Sequence, residues 1–110
     1  AVNFLKENGY RILARKYRNK LGEVDIIALD KDTLCFVEVK TRNTDSCGSP
    51  LESVTPDKQR KIARVALSFL KERNLLEKKA RFDVVSVQAL DRDPKLEIIK
   101  NAFELDGRYV

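Results

Sequence analysis

The spacing of apolar residues predicts a short helix and then three strands in the first half of the chain. Residues 1–8 carry apolar side chains at helical spacing, and Gly9 is typical of a residue that ends a helix. Three runs with strand-like alternation and β-branched or aromatic residues follow, at 10–17, 23–29 and 33–42. Because the turns between them are short, we expect these strands to form an antiparallel meander.

A second helix and two further strands are predicted in the second half, after a polar loop at 43–55. Thr55 is a typical helix N-cap, and Pro56 suits the first helical position. The inward stripe of this helix consists of Gln59, Ile62, Ala63, Ala66, Phe69 and Leu70. Runs at 81–89 and 96–99 predict strands four and five. A strand–helix–strand crossover favours a fourth strand parallel to the third. The predicted fold class is α/β, with a mixed sheet and few helices.

Length and composition narrow the possible classes of protein. The 110 residues suffice for a single domain spanning 1–110, and no segment reaches the ~18 apolar residues of a membrane span. The chain has no histidine, which excludes His-based triads and His-ligated zinc sites. Its two cysteines are too few for a four-cysteine zinc site. Cys35 lies in an apolar run and Cys47 in the polar loop, so we expect no disulfide and a cytoplasmic protein. The chain begins at Ala1 instead of methionine, so we expect further residues upstream.

Charge is distributed unevenly around a net value of +5. Segments 1–20 and 56–73 each hold six basic residues, whereas 21–55 holds three basic and seven acidic residues. Basic flanks attract a polyanion such as a nucleic acid backbone, although they also suit a merely solvated surface. The candidate nucleic-acid contacts are Arg15, Arg18, Arg42, Lys58, Arg60, Lys61 and Arg64.

Charged residues interrupt two neighbouring apolar strands. Alternation predicts that Glu23 and Asp25 share one face of the second strand. It likewise places Glu38 and Lys40 on one face of the third strand, together with Phe36. The opposite faces then carry Val24, Ile26 and Ala28 in the second strand and Cys35, Val37 and Val39 in the third. Charges on a half-buried sheet face are costly unless they are paired or bind a metal.

These carboxylates suit metal-assisted hydrolysis of a phosphodiester. Asp25 and Glu38 supply oxygen ligands for a hard cation such as Mg²⁺ or Mn²⁺, which activates water and stabilises charge on the phosphoryl oxygens. Lys40 can orient the attacking water or neutralise the transition state. Gln59, on the inward stripe near a helix N-terminus, is a further candidate. Cross-strand ion pairs on a sheet surface explain the same charges without any catalysis.

Several motifs together resemble a known family. They are the residues 4–5 with 9–13, 22–28 (GEVDIIA), 36–42 (FVEVKTR), 54–59 (VTPDKQ) and 81–85 (RFDVV). In this order they resemble the YraN family, small bacterial proteins with a restriction-endonuclease-like PD-(D/E)xK fold, akin to archaeal Holliday-junction resolvases. The resemblance implies a nuclease fold, with a mixed sheet flanked by helices.

The resemblance also implies roles for particular residues. Asp25 and Glu38 would bind Mg²⁺ or Mn²⁺, Lys40 would be the catalytic lysine, and Glu23 and Gln59 would lie near the site. The substrate would be DNA, with branched DNA a candidate, and action on junctions would suit a homodimer. The family pattern has a glutamate in its first helix ahead of the position matched by Ala1, and that residue is absent from this sequence. A non-catalytic nucleic-acid-binding module and an interaction or scaffold domain are the alternative functions.

Overall fold

The computed structural model describes residues 1–43, 54–89 and 94–103. The predicted loop around Cys47 and the turn at 91–93 lie outside these residues. The elements in chain order are α1 (Val2–Glu7), β1 (Tyr10–Asn19), β2 (Gly22–Asp30), β3 (Thr33–Asn43), α2 (Pro56–Glu72), β4 (Ala80–Ala89) and β5 (Lys95–Phe103). Each corresponds to an element that the sequence pattern predicts.

The five strands form one mixed sheet in the order β1-β2-β3-β4-β5. The first three strands are an antiparallel meander, β4 runs parallel to β3, and β5 is antiparallel to β4. Helix α2 is the crossover between the parallel pair, and the Thr55 hydroxyl caps it by accepting a hydrogen bond from the Lys58 N–H at 3.3 Å. This topology confirms the predicted α/β class, with a mixed sheet flanked by helices. Neither of the described helices is long and apolar enough to cross a membrane.

Apolar residues fill both sides of the sheet. The side toward α2 holds the larger cluster, in which the α2 stripe packs on Phe36 and Phe82. The side toward α1 holds a smaller cluster around Leu5, Tyr10 and Cys35, all of them buried. Burial raises the pKa of the Cys35 thiol to about 12, so this cysteine is a packed apolar residue, as expected.

One predicted alternation is wrong. Val24 packs on the α2 side together with Ile27, whereas Ile26 and Ala28 lie on the α1 side. Both Asp25 and Ile26 line a cleft on the α1 side, so the faces of β2 change over at these two residues. Opposite them in β1, Lys16 has a left-handed backbone (φ 51°), so both strands depart from a regular strand conformation at the same place.

A buried polar network centred on Asp83 joins four strands of the sheet. The Asp83 carboxylate is fully buried and accepts hydrogen bonds from the Tyr10 hydroxyl (2.7 Å), Arg81 Nε (2.8 Å) and the Asn101 N–H (2.9 Å). Arg81 Nη2 also donates to Asp30 at 2.8 Å. The network ties β1, β2, β4 and β5 together, and the structural role that the sequence favours for Asp83 agrees with these contacts.

Candidate active site

Strands β2 and β3 diverge at the position of Asp25. Their backbone pairing runs from Asp30 opposite Thr33 to Ile26 opposite Val37 and does not extend further. Beyond that point Asp25 Oδ2 accepts a hydrogen bond from the Val39 N–H at 2.8 Å. A side chain therefore replaces the backbone acceptor that β2 would otherwise offer, and a carboxylate is held in the gap between the strands. We call this gap the fork.

Glu38 brings a second carboxyl group to the fork. It follows Val37 in β3 and is half-buried, and its carboxyl group lies within hydrogen-bonding reach of that of Asp25. Burial and the neighbouring Asp25 raise the pKa of Glu38 to about 8, while the nearby ammonium groups of Lys40 and Lys58 act in the opposite direction. Two carboxyl groups in contact favour sharing a proton or a cation over carrying two free charges.

Two lysines, Lys40 and Lys58, lie near the two carboxyl groups of the fork. Lys40 continues the Glu38 face of β3 and lies beside Ser86 of the parallel strand β4. Lys58, in the first turn of α2, reaches Lys40, and this contact between two cations lowers the pKa of Lys58. Sequence reasoning treats Lys58 only as a nucleic-acid contact, because nothing in the local pattern shows that the crossover brings the start of α2 to β3.

The other two predicted site residues make separate contacts. Gln59 is half-buried, and its Nε2 donates to the Val54 carbonyl oxygen at 2.9 Å, which fixes the chain entering α2. Glu23 is exposed and pairs with Arg18 at 3.8 Å. The group assembled at the fork is therefore Asp25, Glu38, Lys40 and Lys58.

Basic residues flank the fork on two sides. On the α2 side the helix exposes Lys58, Arg60, Lys61 and Arg64, with Arg60 paired to Asp57. The half-buried Arg42 continues the Lys40 face toward the end of β3. On the α1 side, Lys6, Arg15 and Lys16 line an open cleft of about 940 Å³ that ends at Asp25. We call this space the α1 cleft. Two positively charged surfaces thus converge on one pair of carboxyl groups.

The donor set at the fork suits a hard cation. Two half-buried carboxyl groups offer oxygen ligands, and a divalent cation would compensate their negative charges. No cluster of three or more His, Cys, Asp or Glu side chains occurs among the described residues. Mg²⁺ and Mn²⁺ bind to one or two carboxylates while keeping water ligands, so these residues fit such an ion.

The raised pKa of Glu38 predicts how stability depends on pH when metal is chelated. The folded state keeps the Glu38 proton up to about pH 8, whereas the unfolded chain loses it above its ordinary pKa of 4.5. The free energy of unfolding should therefore fall as the pH rises from 5 to 8, by about 1–2 kcal/mol after allowing for solvent screening. Urea unfolding in EDTA at several pH values measures this.

The matched variant for that measurement is Glu38→Gln, which keeps the shape of the side chain and removes its titration. Its stability should be nearly independent of pH over the same range, because the chain has no histidine to titrate there. A wild-type protein whose stability rises with pH from 5 to 8 would contradict this assignment.

Comparison with known proteins shows that one family matches most of this sequence. The sequence model described as "Uncharacterised protein family UPF0102" matches residues 1–87. The UPF0102 protein of Desulfosudis oleivorans is 57% identical over 104 residues, which cover 94% of this chain and 83% of that protein. The UPF0102 protein of Chlorobium phaeobacteroides is 53% identical over 109 residues, covering 94% of this chain and 86% of that protein.

Among solved structures, the chain is similar to Pyrococcus furiosus SfsA in complex with Ca²⁺. The TM-score is 0.36 with 18% sequence identity, and the match covers 90% of this chain and 56% of that chain. The chain thus spans little more than half the length of that protein.

Proposed function

The chain belongs to the family UPF0102, and we propose that it acts as a metal-dependent nuclease that hydrolyses phosphodiester bonds of DNA. This membership is the one that the YraN-like motifs predict. The observation that carries the proposal is the contact between the Asp25 and Glu38 carboxyl groups at the fork, with Lys40 beside them. Lys40 and Lys58 lie near Glu38, yet the Asp25 carboxyl group affects the pKa of Glu38 more strongly than either ammonium group does.

Each residue of the group has a part in the proposed reaction. Asp25 and Glu38 would hold Mg²⁺ or Mn²⁺, which when bound supplies an activated water and stabilises negative charge on the phosphoryl oxygens. The Val39 N–H orients Asp25, so that its carboxylate is already positioned before substrate arrives. Lys40 offers a positive charge to the phosphate and to the attacking water, and Lys58 increases that charge.

The charge distribution supports a nucleic acid as substrate. The exposed cations of α2 and those of the α1 cleft lie on either side of the fork, where they can contact phosphates flanking the scissile one. We favour DNA, including branched DNA, and a homodimer would present two such forks to a junction with two-fold symmetry.

A substrate panel tests the proposal. The protein is incubated with labelled junction, flap, single-stranded and linear duplex DNA in Mg²⁺, Mn²⁺ or EDTA. We expect cutting of at least one substrate in metal and none in EDTA, and none with the double variant Asp25→Asn/Glu38→Gln. If wild type and variant bind DNA equally and neither cuts, the protein is a binding module on a nuclease fold. If neither binds DNA, the scaffold alternative gains support.

A further inference from the structure

The α1 cleft combines two kinds of surface. Its charged groups are the exposed cations Lys6, Arg15 and Lys16, together with Asp25 of the fork. Its apolar lining comes from Val2, Ile12, Ile26 and Val39. Ala1 and Asn3 complete the lining. The cleft therefore offers contacts to a ligand with both anionic and apolar parts.

The backbone is distorted where the cleft meets the fork. In a regular strand, successive side chains point to opposite faces, yet the consecutive residues Arg15 and Lys16 both line the cleft. The positive φ of Lys16, uncommon for a residue other than glycine, makes this possible. The opposite residues Asp25 and Ile26 show the same irregularity in β2. The distortion thus brings a lysine into the same cleft as a carboxylate of the fork.

We propose that the α1 cleft binds unpaired nucleotides of the strand that passes through the fork. This inference rests on the proposed nuclease function, because it is Asp25 that joins the cleft to the site. The cations match the phosphates of a single strand, and the apolar lining can contact its sugars and exposed bases. In a continuous duplex the bases are stacked and paired, so the apolar lining gains no comparable contact. The protein therefore selects DNA with unpaired nucleotides next to the cut.

The test is a binding measurement that does not depend on cleavage. Fluorescence anisotropy in EDTA compares a labelled 12-nucleotide oligothymidylate with a hairpin duplex that has the same number of phosphates. The cleft variant is Arg15→Ala/Lys16→Gly, which removes two cations. Glycine adopts the positive φ of position 16 freely, so the melting temperature should stay the same or rise. The charge-matched control is Lys71→Ala/Lys95→Ala, which removes two exposed cations outside the cleft.

We expect the cleft variant to bind the oligothymidylate about tenfold more weakly, with a salt dependence reduced by about 1.4 in slope for two lost phosphate contacts. Binding of the hairpin should weaken by about threefold at most, because a duplex reaches the cleft only with its outer phosphates, and oligothymidylate binding by the control should change by about twofold or less. Equal losses for both DNAs, or equal losses in both variants, would overturn the assignment of the cleft.

The two proposals fail in different ways. A wild-type protein that cuts DNA but loses no oligothymidylate affinity in the cleft variant refutes the cleft assignment and leaves the nuclease proposal intact. A protein that binds the oligothymidylate through the cleft but cuts nothing supports the binding site and refutes the nuclease proposal.

Discussion

Replacing Asp25 by asparagine is expected to lower the rate of DNA cleavage by about 10³-fold, equivalent to about 4 kcal/mol of transition-state stabilisation. Asparagine keeps an oxygen that can accept the Val39 hydrogen bond, so the shape of the fork persists. The lost charge is the one that would hold the divalent cation against Glu38. Single-turnover cleavage of the best substrate from the panel measures the rate.

The fold of this variant should be intact or more stable. Asp25 raises the pKa of Glu38 through their contact, and removing the Asp25 charge relieves this repulsion in the metal-free protein. Its melting temperature in EDTA should therefore equal or exceed that of the wild type. In Mg²⁺ or Mn²⁺ the order should reverse, because only the wild type gains stability from the bound ion.

Asp32→Asn is the matched control for this effect. Asp32 lies in the exposed turn between β2 and β3, where it forms an ion pair with Lys79 at 3.5 Å and accepts a hydrogen bond from the Thr33 hydroxyl at 3.4 Å. The same chemical change there should alter the cleavage rate by about twofold or less. An Asp25→Asn variant that cuts as fast as Asp32→Asn would rule out Asp25 as a metal ligand of the reaction.

The elements of the fold are predictable because their signals are local. Thr55 and Pro56 mark the start of α2, and the short turns of the meander leave no other pairing for β1, β2 and β3. The crossover then determines that β4 runs parallel to β3. Each of these steps depends on residues close together in the chain.

The candidate site is less predictable because it depends on an irregularity. Alternation correctly places Glu38 on the Phe36 face of β3, but it fails in β2, where Asp25 and Ile26 both turn toward α1. The failure coincides with the left-handed Lys16 in β1, and no residue type there signals it. Lysine is a residue for which local propensity predicts an ordinary strand conformation.

The irregularity also explains how two acids on opposite faces can meet. Glu38 lies on the α2 side of β3 and Asp25 lines the cleft on the α1 side. In a regular sheet the backbone would separate them. The pairing of β2 with β3 stops at Ile26 opposite Val37, so Asp25, the preceding residue of β2, lies in the gap. There its carboxylate reaches both the Val39 N–H and the Glu38 carboxyl group. The lost backbone pairing thus creates an opening where both basic surfaces meet the same two carboxyl groups.

The largest effect on stability is expected in the buried network around Asp83. Asp83→Asn should lower the free energy of unfolding by about 3–5 kcal/mol, a large part of the ~5–15 kcal/mol of a typical domain. The fully buried carboxylate accepts three kinds of donor, from Tyr10, Arg81 and the Asn101 backbone. An amide leaves Arg81 with less compensating charge and brings an N–H₂ group against other donors. Urea unfolding at pH 7 measures the change.

Asp30→Asn separates the effect of burial from that of charge. Asp30 binds the same Arg81 Nη2 at 2.8 Å and also Lys100, but its side chain is 15% exposed and water can solvate what the mutation leaves behind. We therefore expect a loss of about 1 kcal/mol, several times smaller than at Asp83. Equal losses at the two positions would show that the ion pair with Arg81, and not the buried hydrogen bonds to Tyr10 and Asn101, carries the stability of the network. A loss at Asp83 below about 1 kcal/mol would contradict both readings, since it would mean that the sheet does not depend on this network at all.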